Sequence, residues 1–130
     1  MSRYKVLVDS SVWIQYFKKG KLPILDSLIE ENLVCVNELI LTELIPILRK
    51  QQQSVAIDSL NSLDNVPLKI DWELIREYQY MNLKYGINKV GIPDLMILQQ
   101  VIEEKMTLYT LDKHFKLMNE IYNFELVGKS

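Results

Sequence analysis

Lys5 to Trp13 reads K-V-L-V-D-S-S-V-W, and the rest of the fold is built around this stretch. Val6, Leu7 and Val8 form a short apolar run, rich in β-branched residues, of the kind found in a strand buried on both faces. Polarity then changes abruptly. Asp9 ends the run, Ser10 and Ser11 can cap the next element, and Val12, Trp13, Tyr16 and Phe17 recur at helical spacing. Asp9 is therefore predicted on a strand-to-helix turn, the edge of an open α/β sheet where ligands bind.

Working outward, a helix from about Ser11 to Lys18 is closed by Lys18-Lys19-Gly20, and Pro23 restarts helix with the stripe Ile24, Leu25, Leu28 and Ile29. Leu33 to Val36 reads as a second buried strand. Asn37 can cap a helix striped by Ile40, Leu41, Leu44, Ile45 and Leu48, within which Pro46 cannot donate to the Thr42 carbonyl and is expected to kink or divide the helix. Ala56, Leu60 and Leu63 continue helical spacing as far as a turn at Asp64-Asn65. Val66 to Leu68 reads as a short edge strand or no strand, because of Pro67.

Asp71 can cap a helix from Trp72 to about Tyr85, with the stripe Leu74, Tyr78, Met81 and Tyr85. Gly91-Ile92-Pro93 leads into Asp94 and a helix that is apolar on nearly every side, which predicts a central, buried position. Met106 to Tyr109 is a further strand, a helix carrying Leu111, Phe115 and Met118 comes next, and Phe124 to Val127 closes the pattern. Strands alternating with helices predict an α/β fold, with a central, mostly parallel sheet flanked by helices on both faces.

Composition bounds the function. The 130 residues, 48% of them hydrophobic, suit one domain over residues 1–130 with a single core. Fifteen Lys and Arg against 17 Asp and Glu give a net charge of -2, so there is no overall basic field, and a polyanion must be held by a local patch or through cations. The single cysteine, Cys35, excludes an internal disulfide framework and a thiolate-rich zinc site, and it fits a reducing compartment. The opening apolar run is far shorter than a signal peptide or a spanning helix, so a soluble cytoplasmic protein is expected.

Four carboxylates stand where surroundings are apolar or turn-like: Asp9 after its strand, Glu43 among Ile40, Leu41, Leu44 and Ile45, Asp94 at the head of the most apolar helix, and Asp112 after the strand ending at Tyr109. Each has an ordinary structural use. Asp9, Asp94 and Asp112 all occupy positions suited to a helix N-cap, and Glu43 lies on the flank of its helix, roughly 130° from the stripe centre. A parallel sheet can nevertheless bring such positions to one edge. Gathered there, carboxylates repel one another and raise one another's pKa values, a cost that a hard divalent cation with oxygen ligands removes.

The pattern V-L-V-D-S-S-V-W-I, a Thr42-Glu43-Leu44 motif, I-P-D-L-M-I from Ile92 and T-L-D-K-H-F from Thr110 resembles the PIN-domain ribonucleases, specifically the VapC-type toxins of toxin–antitoxin pairs. The resemblance runs along essentially the whole chain. It implies a PIN-like three-layer domain and places the family's acidic quartet on Asp9, Glu43, Asp94 and Asp112, with Asp9, Asp94 and Asp112 as ligands of Mg²⁺ or Mn²⁺. Ser10 or Ser11, and Thr110, are the hydroxyl residues beside the quartet, and they also serve capping and turn formation. Glu38 competes with Glu43 for the second position, but its place in the first helical turn has a dipole explanation, and the motif sets its glutamate inside the helix before a leucine.

The implied activity is metal-dependent hydrolysis of RNA phosphodiester bonds, with Glu43 or Asp112 orienting the attacking water. The implied partners are an RNA substrate, a small antitoxin that covers the cleft, and a second copy of the chain in a homodimer. Metal-free cleavage through the RNA 2′-hydroxyl calls for an acid–base pair, often two histidines, and this chain has only His114, which reads by itself as a surface or capping residue. Lys113 and Lys116 share the helix that begins at Asp112 and are the candidate phosphate contacts. Tyr16, Phe17, Trp72, Tyr78 and Tyr85 are expected in core or interface packing rather than as base-stacking platforms. The competing readings are a housekeeping PIN nuclease, a PIN fold used as a binding scaffold, and a phospho-acceptor receiver domain. The receiver needs an acidic pair after the first strand, where this chain has Asp9 followed by two serines.

Overall fold

In a computed structural model, which describes residues 5–128, the stretch Val6–Val8 forms β1 at the middle of a five-stranded sheet. All three residues are wholly buried, as expected of a strand covered on both faces. The chain continues through α1 (Ser10–Lys19), α2 (Pro23–Glu30), β2 (Val34–Val36), α3 (Glu38–Lys50), α4 (Ser54–Asn61) and β3 (Asp64–Asn65). It then forms α5 (Trp72–Lys84), α6 (Ile92–Glu103), β4 (Thr107–Tyr109), α7 (Lys113–Met118) and β5 (Glu125–Leu126).

Every strand pairing is parallel, and the order is β3-β2-β1-β4-β5. The chain steps outward from β1 through β2 to β3, crosses to the opposite side at β4, and ends at β5. Right-handed crossovers then put α1 to α4 on one face and α5 to α7 on the other, a three-layer α/β architecture. The packing of α1 on α3, α3 on α4, and α5 on α6 agrees with this. The order reverses between β1 and β4. Their carboxyl ends, at Asp9 and Thr110, lie side by side at the topological switch point, and the Asp9 N–H donates to the Tyr109 carbonyl at 2.9 Å.

Several local expectations change. Helix α3 is not divided at Pro46: the proline ring is exposed, and Ile40, Leu41, Leu44 and Leu48 bury a stripe spanning it, which outweighs one missing hydrogen bond. Strand β3 lies at Asp64–Asn65 rather than at Val66 to Leu68, paired with Cys35 and Val36 on β2. Pro67 stops the ladder just beyond the bond from Val66 N–H to the Val36 carbonyl at 2.8 Å. As an edge strand β3 tolerates polar residues, with Lys5 on Asp64 and Asn65 on Glu38.

On α5 the buried residues are Ile75, Tyr78 and Asn82, while Tyr85 and Trp72 are exposed. The polar Asn82, which donates to the Met118 sulfur at 3.3 Å, concealed that stripe. Leu111 is likewise half exposed, leaving Phe115 and Met118 to anchor α7. Helix α6 is central as expected, with Leu95, Ile97, Leu98 and Val101 buried, but Gln99 and Gln100 are buried with them. Their amides serve the strandless segment after β3. Gln100 Nε2 donates to the Val66 and Pro67 carbonyls, each at 3.1 Å, and its Oε1 accepts from Asn37 at 2.8 Å. Gln99 accepts from the Asp71 N–H at 3.1 Å and donates to the Lys69 carbonyl at 2.8 Å. Backbone groups that no ladder satisfies are thus paired by side chains.

Candidate active site

Asp9 is the most enclosed member of the quartet, only 5% exposed, and so depends on protein partners. It is itself the N-cap of α1: Oδ1 accepts from the Ser10 N–H at 2.8 Å. Oδ2 accepts from the Ser11 hydroxyl at 2.9 Å and from the Thr110 hydroxyl at 2.8 Å. Those two donors fill the lone pairs of Oδ2, and at Oδ1 the Ser10 hydroxyl approaches at 3.5 Å beside the Ser10 N–H.

The hydroxyls also join the β1 and β4 ends to each other. Ser11 Oγ accepts from the Leu111 N–H at 3.0 Å, and Thr110 Oγ1 accepts from the Asp112 N–H at 3.0 Å. Capping and site-building are here one set of bonds. Replacing Thr110 with Val removes a donor to a buried carboxylate and an acceptor from Asp112, so about 1–3 kcal/mol of stability should be lost. Chemical denaturation checks this; a Thr110→Val midpoint equal to wild type would show that the link contributes nothing to stability.

Asp112 caps α7, with Oδ1 accepting from the His114 N–H at 2.9 Å. Asp94, in contrast, is no N-cap: Gly91 fills that position, Pro93 stands in the first turn, and Asp94 is the third helical residue. Its carboxylate is bonded to the Gly91 backbone at the head of α6, within range of the Asp112 and Asp9 charges at the switch point. Partial burial, and after it the charges of Asp112 and Asp9, pushes the Asp94 carboxyl up to about 6, against the opposing effects of His114 and the Gly91 backbone.

Glu43 lies on the flank of α3, and that flank faces the site. Its carboxyl is also raised, first by partial burial and then by Asp9 and Asp94, with the Ser10 side chain opposing the rise. Glu38, the competing glutamate, is engaged by Asn65 of the edge strand β3. The four predicted carboxylates therefore converge, and Ser10, Ser11 and Thr110 lie among them.

One neighbour goes beyond the sequence reading. His114 is half-buried rather than free on the surface, with Nδ1 3.3 Å from Asp112 Oδ1. Potential ligand atoms of Asp94, Asp112 and His114 all lie within 4.8 Å of one another, and Asp9 is near enough for its charge to raise the Asp94 carboxyl. The available signal was the place of His114 in the first turn of α7, two residues after the cap. Lys113 and Lys116 are exposed on α7, and Lys116 borders a groove that Thr110 and Leu111 also line. Of the five aromatic residues, Tyr78 is buried and Tyr16 and Phe17 pack on the core, with Trp13 stacked on Phe17 at 5.7 Å between ring centres.

A parallel α/β sheet with carboxylates from four elements at its switch point defines a protein built to concentrate negative charge at one edge, a setting for a divalent cation. The PIN domain family model matches residues 6–121, and the chain belongs to that family. No curated protein matches it by sequence.

Among solved structures it is similar to a DNA-bound VapBC from Salmonella typhimurium, with a TM-score of 0.76, 16% identity, and coverage of 95% of this chain and 97% of that one. It is also similar to VapBC-5 of Mycobacterium tuberculosis, a member of the VapBC family of toxin–antitoxin systems (TM-score 0.70, 17% identity, 96% and 98% covered). A third is Mycobacterium tuberculosis VapC20, a sarcin-ricin loop cleaving toxin (TM-score 0.61, 13% identity, 88% and 95% covered). At these identities the shared property is the fold.

Proposed function

We propose that this chain is a Mg²⁺- or Mn²⁺-dependent endoribonuclease of the VapC toxin type. The observation that carries the reading is the gathering of Asp9, Glu43, Asp94 and Asp112 at the β1–β4 switch point of a PIN-family chain. The donor set fits a hard cation: carboxylate oxygens predominate, and after burial the charges of Asp112 and Asp9 add to the rise of the Asp94 carboxyl. Asp9, Asp94 and Asp112 would hold the ion. Bound there, a divalent cation offsets the charge that develops on a phosphodiester during hydrolysis.

The chain's own residues then divide the remaining work. Ser10, Ser11 and Thr110 hold the Asp9 carboxylate in place. Glu43, whose carboxyl is raised by partial burial and by Asp9 and Asp94, accepts the proton of the attacking water at its carboxylate. Lys113 and Lys116 on α7 supply phosphate contacts where the whole chain offers no basic field. The toxin reading adds a small antitoxin partner, a homodimer and a cytoplasmic setting. The fold shared with VapBC proteins supports it, and among the described residues no helix is long and apolar enough to cross a membrane.

Purified protein incubated with single-stranded and structured RNAs should cleave them with Mg²⁺ or Mn²⁺ and stop on adding chelator. Joint Lys113→Gln and Lys116→Gln substitution should weaken RNA binding and flatten its salt dependence. Equal cleavage with chelator present, or full activity in Asp9→Asn, would refute the nuclease assignment. A short adjacent reading frame encoding a DNA-binding protein that suppresses cleavage would support the toxin role, and a solitary gene would favour RNA processing.

A further inference from the structure

We propose that His114 supplies an imidazole nitrogen to the cation held by Asp94 and Asp112, making this a mixed nitrogen–oxygen site; the proposal rests on the metal-dependent reading above. The imidazole is placed for it. Asp112 is the N-cap of α7 and His114 lies two residues on, so both side chains leave the same end of the helix; the His114 backbone N–H holds Asp112 Oδ1 at 2.9 Å, and the imidazole Nδ1 comes within 3.3 Å of that oxygen.

The spacing of one pair agrees with adjacent ligands on one ion. Around a cation with bonds of about 2.1 Å, adjacent octahedral ligands are about 3.0 Å apart and opposite ones about 4.2 Å. His114 Nδ1 and Asp112 Oδ1 are 3.3 Å apart, close to the adjacent spacing. A ligand atom of Asp94 lies within 4.8 Å of both, near enough for a cation to draw the three donors together. Asp94 arrives from a different helix, α6, so the three donors converge from two elements. The ring is only partly exposed, its side chain at 22%, which restricts it to this side of α7. Asp9 already accepts from two hydroxyl donors at Oδ2 and from Ser10 at Oδ1, so it has little acceptor capacity left with which to fill a cation's coordination sphere.

The chemical consequence is a changed ion preference. Mg²⁺ favours oxygen ligands throughout, whereas imidazole suits transition-metal ions, so His114 should bias the site toward Mn²⁺ relative to Mg²⁺. The chain has one histidine. Any imidazole coupling to bound Mn²⁺ in tag-free protein must therefore come from His114.

The test is electron spin-echo envelope modulation on tag-free protein loaded with Mn²⁺ in the absence of RNA, with Mn²⁺ and Mg²⁺ affinities measured by titration. The expected result is a directly coordinated ¹⁴N signal that is lost in His114→Gln, with Mn²⁺ affinity falling about tenfold and Mg²⁺ affinity changing less. Tight Mn²⁺ binding without nitrogen coupling in wild type would overturn the role of His114 and leave the carboxylate site standing. Failure to bind Mn²⁺ at all would overturn both. The wild-type spectrum decides the question even if His114→Gln folds poorly.

Discussion

Asp94→Asn should lose RNA cleavage by about a hundredfold or more, while the metal-free protein becomes more stable at neutral pH. The two effects share a cause. Asp94 sits in partial burial near Asp112 and Asp9, and its carboxyl is pushed up to about 6 in the folded, metal-free chain. In the unfolded chain an aspartate titrates near about 3.9. Between those values the native state holds the extra proton, so its contribution to stability is fully present below about pH 4 and is lost as pH rises through about 6.

The full shift would correspond to nearly 3 kcal/mol, but Asp94 is only partly shielded from water, so about 1–2 kcal/mol is the appropriate size. Denaturant unfolding with chelator present should therefore show wild type weakening from pH 4 to 7. Asp94→Asn should be flatter, with the residual slope reflecting Glu43, whose carboxyl moves in the same direction. An unchanged slope in Asp94→Asn would remove the charge-repulsion account, and retained cleavage would remove Asp94 from the site. Adding Mn²⁺ should stabilise wild type more than the variant, because the cation relieves in wild type the repulsion that the substitution has already removed.

The second large effect concerns Phe115→Ala, expected to cost about 3–5 kcal/mol. Phe115 is wholly buried and, with Met118, ties the six-residue helix α7 to the core. Helices this short have little stability of their own and persist through tertiary packing. Asp112 and His114 are at the amino end of α7, so loosening it should also displace their side chains. Urea unfolding measures the stability loss. Mn²⁺ titration well below the unfolding midpoint should show weaker binding from a chain that is still folded; undiminished affinity there would mean that the site does not depend on how α7 is seated.

Much of the fold was legible locally. The run Val6–Val8, the Asn37 and Asp71 caps, Pro23 at a helix start and Gly20 after α1 each have a cause within a few residues, and each appears as read. Glu43 was preferred to Glu38 on motif context, and the fold separates the two by bonding Glu38 to Asn65. The misreadings occur where distant partners decide. β3 forms from Asp64-Asn65 because β2 offers an open edge, and Asn82 lies inside against Met118.

The sequence by itself determined the alternation of strands and helices and the placing of four carboxylates at element ends and flanks, because periodicity, capping and short motifs are written in adjacent residues. Only the tertiary structure decided that Asp9 and Asp112 meet through Thr110, that Asp94 faces them from the first turn of α6, and that His114 joins Asp94 and Asp112. The physical reason is the strand order. Placing β1 beside β4 joins segments about a hundred residues apart, and the pairing that does so depends on the packing of the whole sheet.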